Sequence, residues 1–127
     1  MAKILIVDDD PDIRESMKIV LESKGHEIIT ASSGKEGLRV AREENPDLII
    51  LDVMMESGDS GFEVARELRK DEKHKDTPIM MVTAIEEKTG MGFKKEAGDE
   101  AWLPVNDYVE KPLKPQDLIA RVEKLLK

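Results

Sequence analysis

The chain has 127 residues, 38% of them charged, a net charge of -8 and no cysteine. That length suits one domain with a real core, and an acidic surface disfavours nucleic acid or an anionic membrane as partner, since phosphates would be repelled. The lack of cysteine removes disulfides, thiolate metal sites and a cysteine nucleophile. Its apolar runs are too short to cross a bilayer and nothing at the start resembles a signal peptide, so a cytoplasmic protein is expected.

Ile4–Val7 reads as a first strand, closed by Asp8-Asp9-Asp10. Pro11 suits the first position of a helix, Asp10 its N-cap, and Ile13, Met17, Val20 and Leu21 recur at helical spacing before Gly25. Glu27–Ala31 is a weaker second strand. Ser33 with Glu36 is a capping-box pattern that opens a helix through about Glu44, after which Asn45-Pro46-Asp47 breaks the chain.

Leu48-Ile49-Ile50-Leu51 runs straight into Asp52, which is the pattern of a strand buried on both faces of a parallel sheet. Ser60 and Glu63 repeat the capping pattern for a third helix with Phe62, Ala65 and Leu68 on its apolar side. Ile79–Val82 is a fourth strand ending at Thr83. Gly90 and Gly92 weaken any helix through them by about 1 kcal/mol each, so a fourth helix is expected to be short and late, with Gly98 as its cap. Tyr108-Val109 is a short fifth strand, and Pro115 opens a last helix whose stripe is Leu118, Val122, Leu125 and Leu126.

Such β-α alternation implies one α/β domain over residues 1–127, a doubly wound five-stranded parallel sheet with helices on both faces. In the flavodoxin-like order 2-1-3-4-5 the topological switch lies between the first and third strands, where ligands bind at the carboxyl ends. Asp8, Asp9 and Asp52 end those two strands, and Thr83 and Lys111 end the next two.

Three converging carboxylates repel one another and at neutral pH need a cation or a raised pKa. An all-oxygen set with few protein ligands suits Mg2+, and an aspartate carboxylate can act as a phosphoryl-accepting nucleophile. Lys111 and Thr83 supply a positive charge and a hydroxyl for phosphoryl oxygens. Taken singly, each of these residues has a plainer role: a helix-dipole partner, a turn residue, a polar strand end, a solvated lysine. Asp10 fits that plainer role best. The coincidence of five at one sheet edge is what favours a site.

The motifs Ile4-Leu5-Ile6-Val7-Asp8-Asp9, Pro46-Asp47-Leu48-Ile49-Ile50-Leu51-Asp52, Thr83-Ala84 and Tyr108-Val109-Glu110-Lys111-Pro112 resemble the receiver domain of two-component response regulators over essentially the whole chain. That resemblance implies that Asp52 takes a phosphoryl group from a phosphohistidine of a sensor histidine kinase or phosphotransfer protein. It implies Mg2+ on Asp9, on Asp8 mainly through water, on Asp52, and on the backbone carbonyl of Met54. Thr83 and Lys111 would hold the phosphoryl oxygens, and Thr83 and Tyr108 would change position on activation. Catalysis would be limited to the protein's own phosphorylation and dephosphorylation. The effect would pass to a downstream protein target or through a homodimer. The Lys111-Pro112 bond is typically cis in this family.

The sequence departs from the family pattern in three places. Glu56 stands where a proline is usual, with one extra residue before Gly61, and about six extra residues lie between Thr83 and Lys111, around Trp102. Trp102 and Leu103 are expected to cover that longer loop, a partner contact being the alternative. Met54 and Ile85 are apolar where relatives can orient a water, so slow self-dephosphorylation is expected. An aspartate-nucleophile phosphatase would need an acid where Met54 stands, and no glycine-rich phosphate loop supports a nucleotide or flavin binder. A receiver-shaped module that is never phosphorylated is disfavoured by the full set Asp9, Asp52, Thr83 and Lys111.

Overall fold

The computed structural model of the protein describes residues 2–52, 61–83, 107–110 and 114–126. Along the chain come β1 (Lys3–Val7), α1 (Pro11–Glu22), β2 (Glu27–Ala31), α2 (Gly34–Glu44), β3 (Leu48–Asp52), α3 (Gly61–Lys70), β4 (Ile79–Thr83), β5 (Asp107–Glu110) and the C-terminal helix α4 (Pro115–Leu126). The five strands form one sheet in the order β2-β1-β3-β4-β5, and every pairing is parallel. The expected topology is therefore the observed one. The helix anticipated between Thr83 and Asn106, the Ser60 cap, the Lys111-Pro112 bond and Trp102 fall outside the described residues.

Strand alternation builds two cores. Leu5, Val7, Ile49, Leu51, Ile79 and Met81 pack on one face against Ala41 of α2 and Val64, Ala65 and Leu68 of α3. Ile4, Ile6, Leu48, Ile50, Met80 and Val82 pack on the other against Met17 and Leu21 of α1 and Leu118 and Val122 of α4. β3 is buried along its whole length, which is why its sequence is an unbroken apolar run rather than an alternating one. Fully burying each such side chain stabilises the fold by roughly 1.5–3 kcal/mol.

The helices begin and end where their sequence chemistry dictates. The Asp10 side chain accepts from the N–H groups of Asp12 and Ile13, leaving Pro11 at a position that needs no donor. Helix α1 stops at Glu22, and Gly25 takes a left-handed φ of 86° in the turn that follows. Ser33 caps α2 by accepting from Glu36 N–H, but the Glu36 carboxylate reaches back to Ser32 N–H at 2.7 Å rather than to Ser33. The capping box is thus displaced by one residue. Asn45 closes α2 in the left-handed region at φ 50°.

One turn had no counterpart in the sequence reading. Between α3 and β4, Arg69 donates to the carbonyls of His74 and Thr77 at 2.9 and 2.7 Å, holding the turn over residues 71–77 to the end of α3. His74 is buried there, its Nδ1 3.2 Å from the Thr77 hydroxyl, and its Nε2 has no hydrogen-bond partner among the described residues.

Candidate functional site

Parallel pairing brings the strand ends level. Val7 is in register with Leu51, so Asp8, the next residue after β1, stands beside Asp52, the last residue of β3. Asp52 in turn is in register with Val82, one residue before Thr83. Thr83 is in register with Glu110, and Tyr108 lies level with Met81 in β5.

The result is a cluster in which carboxylate oxygens of Asp8, Asp9 and Asp52 all lie within 4.8 Å of one another. Asp8 is 1% exposed and Asp52 5%, so two of the three acids sit where a bare charge is costly. At such a 4.8 Å separation two negative charges repel by roughly 3–4 kcal/mol at an effective dielectric near 20. A divalent cation offsets that repulsion. The donor set, hard and all-oxygen, fits Mg2+ and not a thiophilic metal.

The β1–α1 turn that carries two of the acids is tied down at each end. Asp8 N–H donates to the Ala31 carbonyl at 3.1 Å, extending the β1–β2 ladder by one step. Asp8 Oδ1 accepts from Asp10 N–H at 2.9 Å, and the Asp8 carbonyl accepts from Arg14 Nη1 at 2.7 Å. The Asp10 side chain caps α1, the role its position suggests.

Of the residues singled out in the sequence, the structure joins Asp8, Asp9 and Asp52, and it places Thr83 at the same sheet edge and Tyr108 within β5. Lys111, Met54 and Ile85 lie outside the described residues. Sequence reasoning missed Arg14. Nothing in the spacing of a helical arginine announces that it reaches back over the preceding turn.

A doubly wound flavodoxin-like sheet with an acid cluster at its topological switch defines the class: an α/β protein with clustered carboxylates at the carboxyl edge. The chain belongs to the response regulator receiver domain family, whose model matches residues 4–123. Members of that family are phosphorylation-activated signalling modules of two-component systems rather than classical enzymes. The chain is 43% identical over 125 residues to the probable transcriptional regulator ycf27 of Pyropia yezoensis, covering 98% of this chain and 47% of that protein. It thus spans about half the length of several curated relatives it matches. It is also 33% identical to protein PilH of Pseudomonas aeruginosa, covering 99% of this chain and 98% of that one. Among solved structures it resembles the response regulator protein TrrA of Thermotoga maritima in complex with Mg2+-BeF. That match has a TM-score of 0.82 and 40% identity, and covers 99% of this chain and 100% of that one.

Proposed function

We propose that residues 1–127 form a single receiver domain acting as a phosphorylation-switched relay, with Asp52 as its phosphoacceptor. The observation that carries this reading is the Asp8, Asp9 and Asp52 cluster at the carboxyl edge of the sheet. An Asp52 carboxylate oxygen attacks the phosphorus of a phosphohistidine on a sensor kinase or phosphotransfer protein. The new O–P bond makes an acyl phosphate as the P–N bond breaks, and the imidazole leaves with a proton.

Asp8, Asp9 and Asp52, with the Met54 carbonyl, would hold Mg2+, a reading supported by the relative solved with Mg2+-BeF. When bound, the ion neutralises charge on the phosphoryl oxygens. The Lys111 ammonium and the Thr83 hydroxyl hold the remaining oxygens. Phosphorylation then biases a pre-existing equilibrium in which Thr83 moves toward the phosphate and Tyr108 turns inward. The output is a changed affinity for a downstream protein or for a second copy of the chain, in the cytoplasm. No helix among the described residues is long and apolar enough to cross a membrane.

The test is intact-mass measurement after incubation with acetyl phosphate, with Mg2+ or with EDTA. A single phosphoryl adduct is expected for the wild type in Mg2+, and none in EDTA or in Asp52→Asn. An adduct of equal yield on Asp52→Asn would overturn the assignment.

A further inference from the structure

Asp8 and Asp9 share one peptide unit, and that unit is gripped from outside the turn. The Asp8 carbonyl oxygen, the acceptor for Arg14 Nη1 at 2.7 Å, belongs to the same rigid plane as the Asp9 N–H. Holding that oxygen restricts how the peptide plane can turn, and with it where the Cα atoms of Asp8 and Asp9 sit. Two further hydrogen bonds hold Asp8 itself: its N–H to Ala31 at 3.1 Å and its Oδ1 from Asp10 N–H at 2.9 Å. Asp9 carries the less buried of the clustered carboxylates.

Arg14 is well placed for such a grip. Its own N–H bonds the Asp10 carbonyl at 3.0 Å, so its backbone is set within the first turn of α1, while the half-buried residue reaches the Asp8 carbonyl through its guanidinium. A hydrogen bond from a charged donor is stronger than a neutral one, and the planar guanidinium loses little freedom in making it.

We infer that Arg14 is a positioning residue for the cation pocket: by clamping the Asp8–Asp9 peptide it sets the geometry in which the acids receive Mg2+. This rests on the reading of the acid cluster as a Mg2+ site. Groups that orient metal ligands without touching the metal typically change affinity by about 10- to 100-fold when removed.

The sign of the effect separates this role from a purely electrostatic one. Arg14→Met removes a positive charge near three acids, which by charge alone tightens Mg2+ binding. Loss of the clamp weakens it. The experiment is calorimetric titration of the full chain with Mg2+ for wild type, Arg14→Met and Arg14→Lys, with circular dichroism and thermal unfolding in EDTA alongside. Expected is an affinity about 10-fold lower for Arg14→Met with the fold intact in EDTA. A smaller loss is expected for Arg14→Lys, which retains a charged donor.

Equal or tighter binding by a folded Arg14→Met overturns the inference and leaves the proposed function standing. Failure of both variants to fold in EDTA overturns it as well, because the clamp would then be supporting the fold and not the pocket. Should only Arg14→Met fail to fold, an unchanged affinity in Arg14→Lys decides against the inference and a weakened one for it. Absence of Mg2+ binding by the wild type would instead sink the reading of the acid cluster.

Discussion

Asp71 shows how a single carboxylate can make stability depend on pH away from the functional edge. Its oxygen accepts from Lys73 N–H at 3.0 Å, and Arg42 Nε lies 3.5 Å away. The Lys73 N–H, with smaller pulls from His74 and Arg42, holds its pKa below the usual 3.8 against the opposing effect of desolvation. A depressed folded-state value means that the ionised form stabilises the fold. That contribution is fully present above the unfolded-state value and disappears as pH falls through the lowered folded one. Asp71→Asn keeps an oxygen for the Lys73 amide but gives up the charge. Its urea midpoint is therefore expected to lie slightly below wild type at pH 7, with the difference closing in strongly acidic solution. A difference that stays constant down to acidic pH would show that the charge of Asp71 contributes nothing.

At the level of elements, α2 and β1 approach so closely that a methyl group has no room. A Cβ built on Gly37 would meet Val7 Cγ2 at 2.8 Å and Cγ1 at 3.1 Å. Alanine would favour the helix by about 1 kcal/mol. Valine is stiff at χ1 and cannot swing aside, and overpacking of this kind costs roughly 1–3 kcal/mol. Gly37→Ala is thus expected to destabilise by about 1 kcal/mol on balance, visible as a lower urea midpoint with unchanged slope. The strands and the ends of α1 and α2 were legible in the sequence because their signals are local: apolar runs, Asp10, Ser33 and Asn45. The grouping of Asp8, Asp9 and Asp52 was legible because parallel pairing of strands of known order puts their ends together. What could not be read were contacts made by long or buried side chains across the fold. Arg14 on the Asp8 carbonyl, Arg69 on two carbonyls, His74 folded inward and Gly37 against Val7 all depend on tertiary approach, for which sequence spacing holds no pattern.

On the scale of the whole molecule, the net charge of -8 and the acid cluster both bear on the proposed metal binding and on stability. The overall field concentrates cations around the protein, and salt screens that attraction over about 10 Å at 0.1 M. The cluster adds a local repulsion that opposes folding, and a cation held there would offset it. A ligand that binds only the folded state stabilises it by about 2.7 kcal/mol at 100 times its Kd. For a domain of this size that raises Tm by several degrees. The wild type is accordingly expected to unfold several degrees higher in excess Mg2+ than in EDTA, with the increment shrinking as NaCl rises at fixed Mg2+. If the cluster holds Mg2+ as proposed, Asp9→Asn removes both a ligand and one of the mutually repelling charges, so its two effects have opposite signs. In EDTA its Tm is expected to match or exceed that of the wild type, whereas its Mg2+-dependent increment should largely vanish. Thermal scans under the four conditions separate the two effects. An increment of the same size in Asp9→Asn and wild type would mean that the stabilising cation binds elsewhere, and a lower Tm in EDTA would mean that Asp9 supports the fold through some contact other than the cation.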